Sequence, residues 1–80
     1  MKKFKVTVKF DLKNERVVDC LMANFDLDNM SDDGVVEMWY TSKGNSRSTE
    51  ETAIKGMRKI LNFFEGLKRG FVILGAREVK

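Results

Sequence analysis

Phe4, Val6, Val8 and Phe10 alternate with Lys5, Thr7, Lys9 and Asp11. A period of two places one apolar and one solvated face on a strand. An alternating strand belongs to a sheet covered on one side only. The period then changes. Val17, Val18, Leu21, Met22 and Phe25 recur at helical spacing, with Arg16, Asp19 and Ala23 opposite and Cys20 on the flank. The spacing predicts a helix over residues 12–25, capped by Asp11 or Asn14. Residues 26–34 form a polar, acidic loop whose one apolar pair is Leu27 and Met30, and Asp33-Gly34 marks a turn. Residues 35–41 are β-branched and aromatic, hence a second strand. Val36, Met38 and Tyr40 share the face expected toward the helices; Val35, Glu37, Trp39 and Thr41 share the other.

The longest element is marked at both ends. Ser48 and Glu51 have capping-box spacing, and Ala53, Ile54, Met57, Ile60, Leu61 and Phe64 fill one helical stripe. Gly66 is the expected left-handed stop, so this helix is predicted over residues 48–66. Phe63 lies off the stripe, nearest Gly56. It is expected to pack on a neighbouring helix, with Gly56 permitting close approach, the alternative being that it faces a partner. Gly70 opens the apolar run Phe71-Val72-Ile73-Leu74, which continues less regularly to Val79. Two of those four residues must point away from the helices. Residues 42–47 read as a loop, or as a hairpin turn into a short strand over 45–47.

The order is strand, helix, strand, an optional short strand, helix, strand. It predicts one domain over residues 1–80, of α/β (α+β) class. This is a two-layer sandwich, with a three- or four-stranded sheet and both helices on one face. With the short strand included, the expected form is the ferredoxin-like plait. That expectation concerns fold alone, since such a fold hosts many functions.

Composition narrows the setting. At 42% hydrophobic and 34% charged, the 80 residues are those of an ordinary globular chain. Cys20 is alone, Met1-Lys2-Lys3 leads into a strand rather than an apolar run, and no membrane-length apolar stretch exists. A reducing, cytoplasmic location is expected. The net charge of +3 is unevenly spread. Residues 1–18 carry six basic and two acidic side chains, residues 19–37 six acidic and no basic, and residues 38–80 nine basic and four acidic. Such segregation governs surface potential and partner choice.

Candidate chemistry is sparse. Histidine is absent, which removes the commonest general base and most zinc sites. Asp19 beside Cys20 disfavours a reactive thiolate. Acids fall at positions 1, 3, 7 and 12 counted from Asp26, as in a calcium loop, but Met30 stands at position 5 and Ser31 where the sharp turn needs glycine. The loop therefore reads as a solvated acidic surface. Lys68-Arg69-Gly70-Phe71-Val72 shares half of an RNA-recognition signature, lacks its second glycine–aromatic pair and lies in the last strand. No catalytic residue, metal ligand or cofactor is expected. The expected activity is non-enzymatic binding of another protein or of a second copy, in a regulatory or inhibitory role. It would use an exposed sheet face or edge carrying Trp39, Val35, Lys5 and Lys9. The alternative is single-stranded nucleic acid held by Lys5 and Lys9 and stacked on Trp39.

Overall fold

The computed structural model describes residues 2–26, 28–42 and 49–80. Strand β1 (Lys2–Phe10) is followed by helix α1 (Glu15–Asn24), strand β2 (Val35–Ser42), helix α2 (Glu50–Phe63), a 3₁₀ turn (Glu65–Leu67) and strand β3 (Phe71–Val79). The sheet order is β2-β1-β3, and both pairings are antiparallel. β1 takes the centre because its inner side chains are the most uniformly apolar. Phe4, Val6, Val8 and Phe10 are all essentially fully buried. Each contributes roughly 1.5–3 kcal/mol of burial. Val17 and Leu21 of α1, Val36 of β2, Ala53, Met57 and Leu61 of α2, and Leu67 of the 3₁₀ turn complete the core.

The two-layer α+β arrangement is as the periodicity predicts, with three strands in the sheet. The four-stranded ferredoxin-like plait is not seen, because no fourth strand occurs among the described residues. The candidate short strand at 45–47 and the loop around it lie outside them.

Both helices are shorter than their apolar patterns. Asn14 caps α1, its side-chain oxygen accepting from the Arg16 N–H at 3.0 Å, while Asp11 closes the preceding turn by accepting from Lys13 N–H. Val17 and Leu21 form the buried line. Met22, expected in the stripe, is turned about 100° from Leu21 and is 69% exposed. For α2 the capping residue is Thr49, one position later than the expected Ser48, which lies outside the described residues. Thr49 Oγ1 accepts from Thr52 N–H at 3.3 Å, and Glu51 pairs with Lys55 at 3.7 Å; the expected box between Ser48 and Glu51 lies outside the described residues. Ala53, Met57 and Leu61 repeat every fourth residue and are buried. Ile54 and Phe64 are half-buried and Ile60 is exposed, so the buried stripe is narrower than the apolar one.

Two glycine expectations are corrected. Gly66 is not left-handed. It lies inside the 3₁₀ turn, where a Cβ would come within 2.7 Å of Cys20 Cβ, so it permits the turn to pack on α1. The left-handed residue is Arg69, at φ 62°. Lys68 (φ −57°, ψ 128°) and Arg69 are the central pair of a type II turn closed by Gly70 N–H to the Leu67 carbonyl at 3.0 Å. A type II turn favours glycine at its third position. Here glycine stands at the fourth, because a Cβ on Gly70 would overlap Val17 Cγ2. Packing claimed the glycine and left the strained position to arginine, while Arg16 Nη2 donates to the Lys68 carbonyl at 3.2 Å.

Gly56 does not admit a second helix. A Cβ there would overlap the hydroxyl and ring of Tyr40, so the glycine lets the β2 tyrosine pack directly against α2. Phe63 is accordingly not packed on a neighbouring helix and is 84% exposed.

The left-handed Arg69 and the two close approaches fix the signs of three substitutions, read as urea midpoints. Arg69→Gly should stabilise by about 0.5–1 kcal/mol, relief of the left-handed strain outweighing the entropy of glycine. Gly70→Ala should cost about 1–3 kcal/mol through overpacking against Val17. Gly56→Ala gains about 1 kcal/mol of helix propensity. It should nonetheless be a net loss, and Tyr40→Leu in the same chain should restore the gain.

Candidate functional site

The register fixes the outer face of the sheet row by row. Lys3 stands between Thr41 and Val79, Lys5 between Trp39 and Arg77, Thr7 between Glu37 and Gly75, and Lys9 between Val35 and Val72. Trp39, Val35, Lys5 and Lys9 are thus on one face, opposite the helices. Trp39 is 57% exposed, with Lys5 Nζ 5.0 Å from its ring centroid. Such a contact is worth about 0.5–1 kcal/mol at an exposed site.

The apolar side chains on this face fall into two separate groups. Val72 and Leu74 point outward and are exposed, while Phe71 and Ile73 pack toward the core. Between them and Trp39, Arg77 Nη2 reaches over the central strand to Glu37 Oε2 at 3.4 Å. That pair is more than two-fifths exposed on both sides, so it contributes at most about 1 kcal/mol. Its larger effect is geometric, since it separates two apolar ends with a polar bar. Neither the long reach of Arg77 nor its pairing with Glu37 was legible before the strand order was known.

The edges differ as well. Thr7 pairs with Gly75 and Val8 with Ile73, so Leu74 is an extra residue and β3 is bulged. A bulge twists and blunts an edge. β2 pairs without interruption from Ser42 to Val35. Phe10 N–H donates to the Gly34 carbonyl at 2.9 Å, and antiparallel pairs alternate, so residues 36, 38, 40 and 42 direct their backbone groups at β1. Residues 35, 37, 39 and 41 direct theirs at the free edge. Val35 is already taken: its carbonyl accepts from Ser31 N–H at 2.9 Å and its N–H donates to Ser31 Oγ at 3.1 Å. Among the described residues, the edge groups of Glu37, Trp39 and Thr41 have no partner.

On the helix side of the same strand, Tyr40, Gly56, Ile60, Phe63 and Phe64 line an apolar groove. Phe64 is held edge-on against Phe25 at 5.2 Å and against Phe63 at 5.9 Å between ring centroids. A second depression, bounded by Leu21, Phe25, Met30 and Met38, continues along β2. Sequence periodicity missed this groove because it placed Ile60 and Phe64 in the core. The clue available was Phe63, an aromatic off the stripe.

Elsewhere the chemistry is thin. Cys20 is half-buried on the flank of α1, where Asn24 Nδ2 lies 3.7 Å from Sγ. Asp26 Oδ1 accepts from Asp28 N–H, and among the described residues no three Asp, Glu or Cys side chains converge as a ligand set. Lys68, 2.9 Å from the Glu65 carboxylate, holds that carboxyl below its ordinary range. The pair lies on the 3₁₀ turn, away from the outer face. Among the described residues no helix is long and apolar enough to cross a membrane. Set against known protein families, curated proteins and solved structures, the chain matches none of them.

Proposed function

We propose that this chain is a small non-enzymatic protein-binding domain whose contact surface is β2. One observation carries the reading: the chain's single tryptophan stands exposed on an unblunted edge strand. Exposed tryptophan next to unpaired backbone groups supports recognition by side-chain docking and by strand addition. The apolar groove on the opposite side of β2 offers the inward side chains of an added strand a place to rest. A regulatory or inhibitory role fits a domain that offers a surface and little acid–base chemistry.

The outer face supports a second reading. Lys3, Lys5, Lys9 and Arg77 against Glu37 leave it with a formal charge of four minus one, +3, around an exposed indole. Single-stranded nucleic acid is recognised by such a combination of cations and a stacking ring. Against it, Lys5 already covers the indole and Arg77 is spent on Glu37.

Two measurements separate these readings. Immobilised wild type and Trp39→Ala should differ in the proteins they retain from a lysate of the native host, with Met22→Ala, on α1, behaving as wild type. Identical profiles for all three would remove β2 as the contact surface. Titration with a single-stranded oligonucleotide should leave Trp39 fluorescence unchanged at low salt. A quench whose affinity falls with salt at a log–log slope of about −2 to −3 would instead favour the nucleic-acid reading.

A further inference from the structure

We infer that the occupant of the β2 edge is a second copy of this chain, paired antiparallel about a two-fold axis through Trp39. The inference rests on the reading that β2 is a contact surface, and it names the partner and the register.

The choice of edge follows from the sheet. β3 is bulged at Leu74, whereas β2 is regular over its whole length. The register follows from the backbone. Only residues whose N–H and C=O face the edge can bond to a new strand, which leaves Glu37, Trp39 and Thr41, because Ser31 occupies Val35. Centring the two-fold on Trp39 uses all three: Trp39 faces its own copy and Glu37 faces the partner's Thr41. Centring one residue earlier sets Glu37 against the partner's Trp39 and calls on Val35, which is taken. Centring on Glu37 opposes two like charges, which destabilises a cross-strand pair. The pairing therefore spans residues 37–41 of each chain, a self-complementary stretch.

Side chains agree with that register on both faces. On the outer face the two indoles become neighbours, an aromatic pair that prefers offset or edge-on contact. Glu37 of the second copy lies next to Thr41, and Lys3 lies on the far side of Thr41. Lys3 then stands two strands from that glutamate, the same separation that Arg77 already spans to reach Glu37 across β1. Charge is thus complementary across the new edge, and each Glu37 lies between two cations. On the inner face Met38 meets the second copy's Tyr40, a favourable sulfur–aromatic contact. The groove formed by Ile60, Phe63 and Phe64 flanks that pair, so the exposed Phe63 gains apolar neighbours. The result is one six-stranded sheet with no interruption at its centre.

Sedimentation equilibrium of wild type, Thr41→Glu and Thr41→Lys tests this. Thermal melts first establish that the variants fold, as expected for an exposed position at a strand end. Wild type should pass from one chain to two as concentration rises, with a concentration-dependent exciton couplet from the paired indoles in far-ultraviolet circular dichroism. Thr41→Glu opposes each Glu37 with a like charge and should weaken association about tenfold. Thr41→Lys should tighten it, and Trp39→Lys should abolish it. A single-chain mass at every concentration overturns the inference. If Trp39-dependent capture of a different protein persists in that case, β2 is a contact surface for another partner and only the self-pairing falls. A dimer indifferent to both Thr41 substitutions overturns the pairing equally.

Discussion

The rest of the molecule depends on burying the inner face of β1. Phe4, Val6, Val8 and Phe10 have no solvated alternative, and a single strand can be covered only if helices lie across it and strands flank it. Two neighbours pair with β1, so its own backbone is satisfied on both edges and, among the described residues, the unpaired edges fall to β2 and β3. The lysines that alternate with the buried residues are thereby committed to one outer surface. A chain of 80 residues has few ways to add to this core, and its stability rests on a handful of large side chains.

Three glycines decide how closely the covering layer approaches. Gly56 receives the Tyr40 ring, Gly66 lies against Cys20 and Gly70 against Val17. Each joins α1, α2 or the connection that follows α2 to a neighbour at a distance that a methyl group would prevent. The cost appears at Arg69, which adopts the left-handed conformation that a glycine would have taken more easily. Close packing was satisfied before local conformation, and the strain is confined to one exposed turn.

Covering the inner face of a three-stranded sheet leaves the outer face and one flank open. On the outer face, a cation–π contact and an ion pair hold the polar centre: Lys5 over Trp39, and Arg77 across to Glu37. On the flank, the narrow buried stripe of α2 leaves Ile60 and Phe63 outside. Both openings border β2, whose edge is also the regular one. An aromatic outer side, an apolar inner side and backbone groups without a partner among the described residues meet on one strand, so β2 rather than any cluster of reactive groups is the candidate contact surface.

Local periodicity determined a great deal of this. The alternation of β1 named its four core residues, the alternation of Val35 to Thr41 placed Trp39 opposite the helices, and the Phe71–Leu74 run had to send one pair outward. Those statements need only the geometry of a strand, which repeats every two residues wherever it lies. Tertiary structure decided everything that depends on distance between elements. Whether Met22 and Ile60 are buried depends on how wide a stripe each helix presents to the sheet. Whether Gly66 or Arg69 turns left-handed depends on Val17 and Cys20, some fifty residues away in the chain. The division of the outer face by Arg77 and Glu37, and the identity of the free edge, depend on strand order and on one bulge. A sequence states which side of an element is apolar; only the assembled sheet states what that side meets.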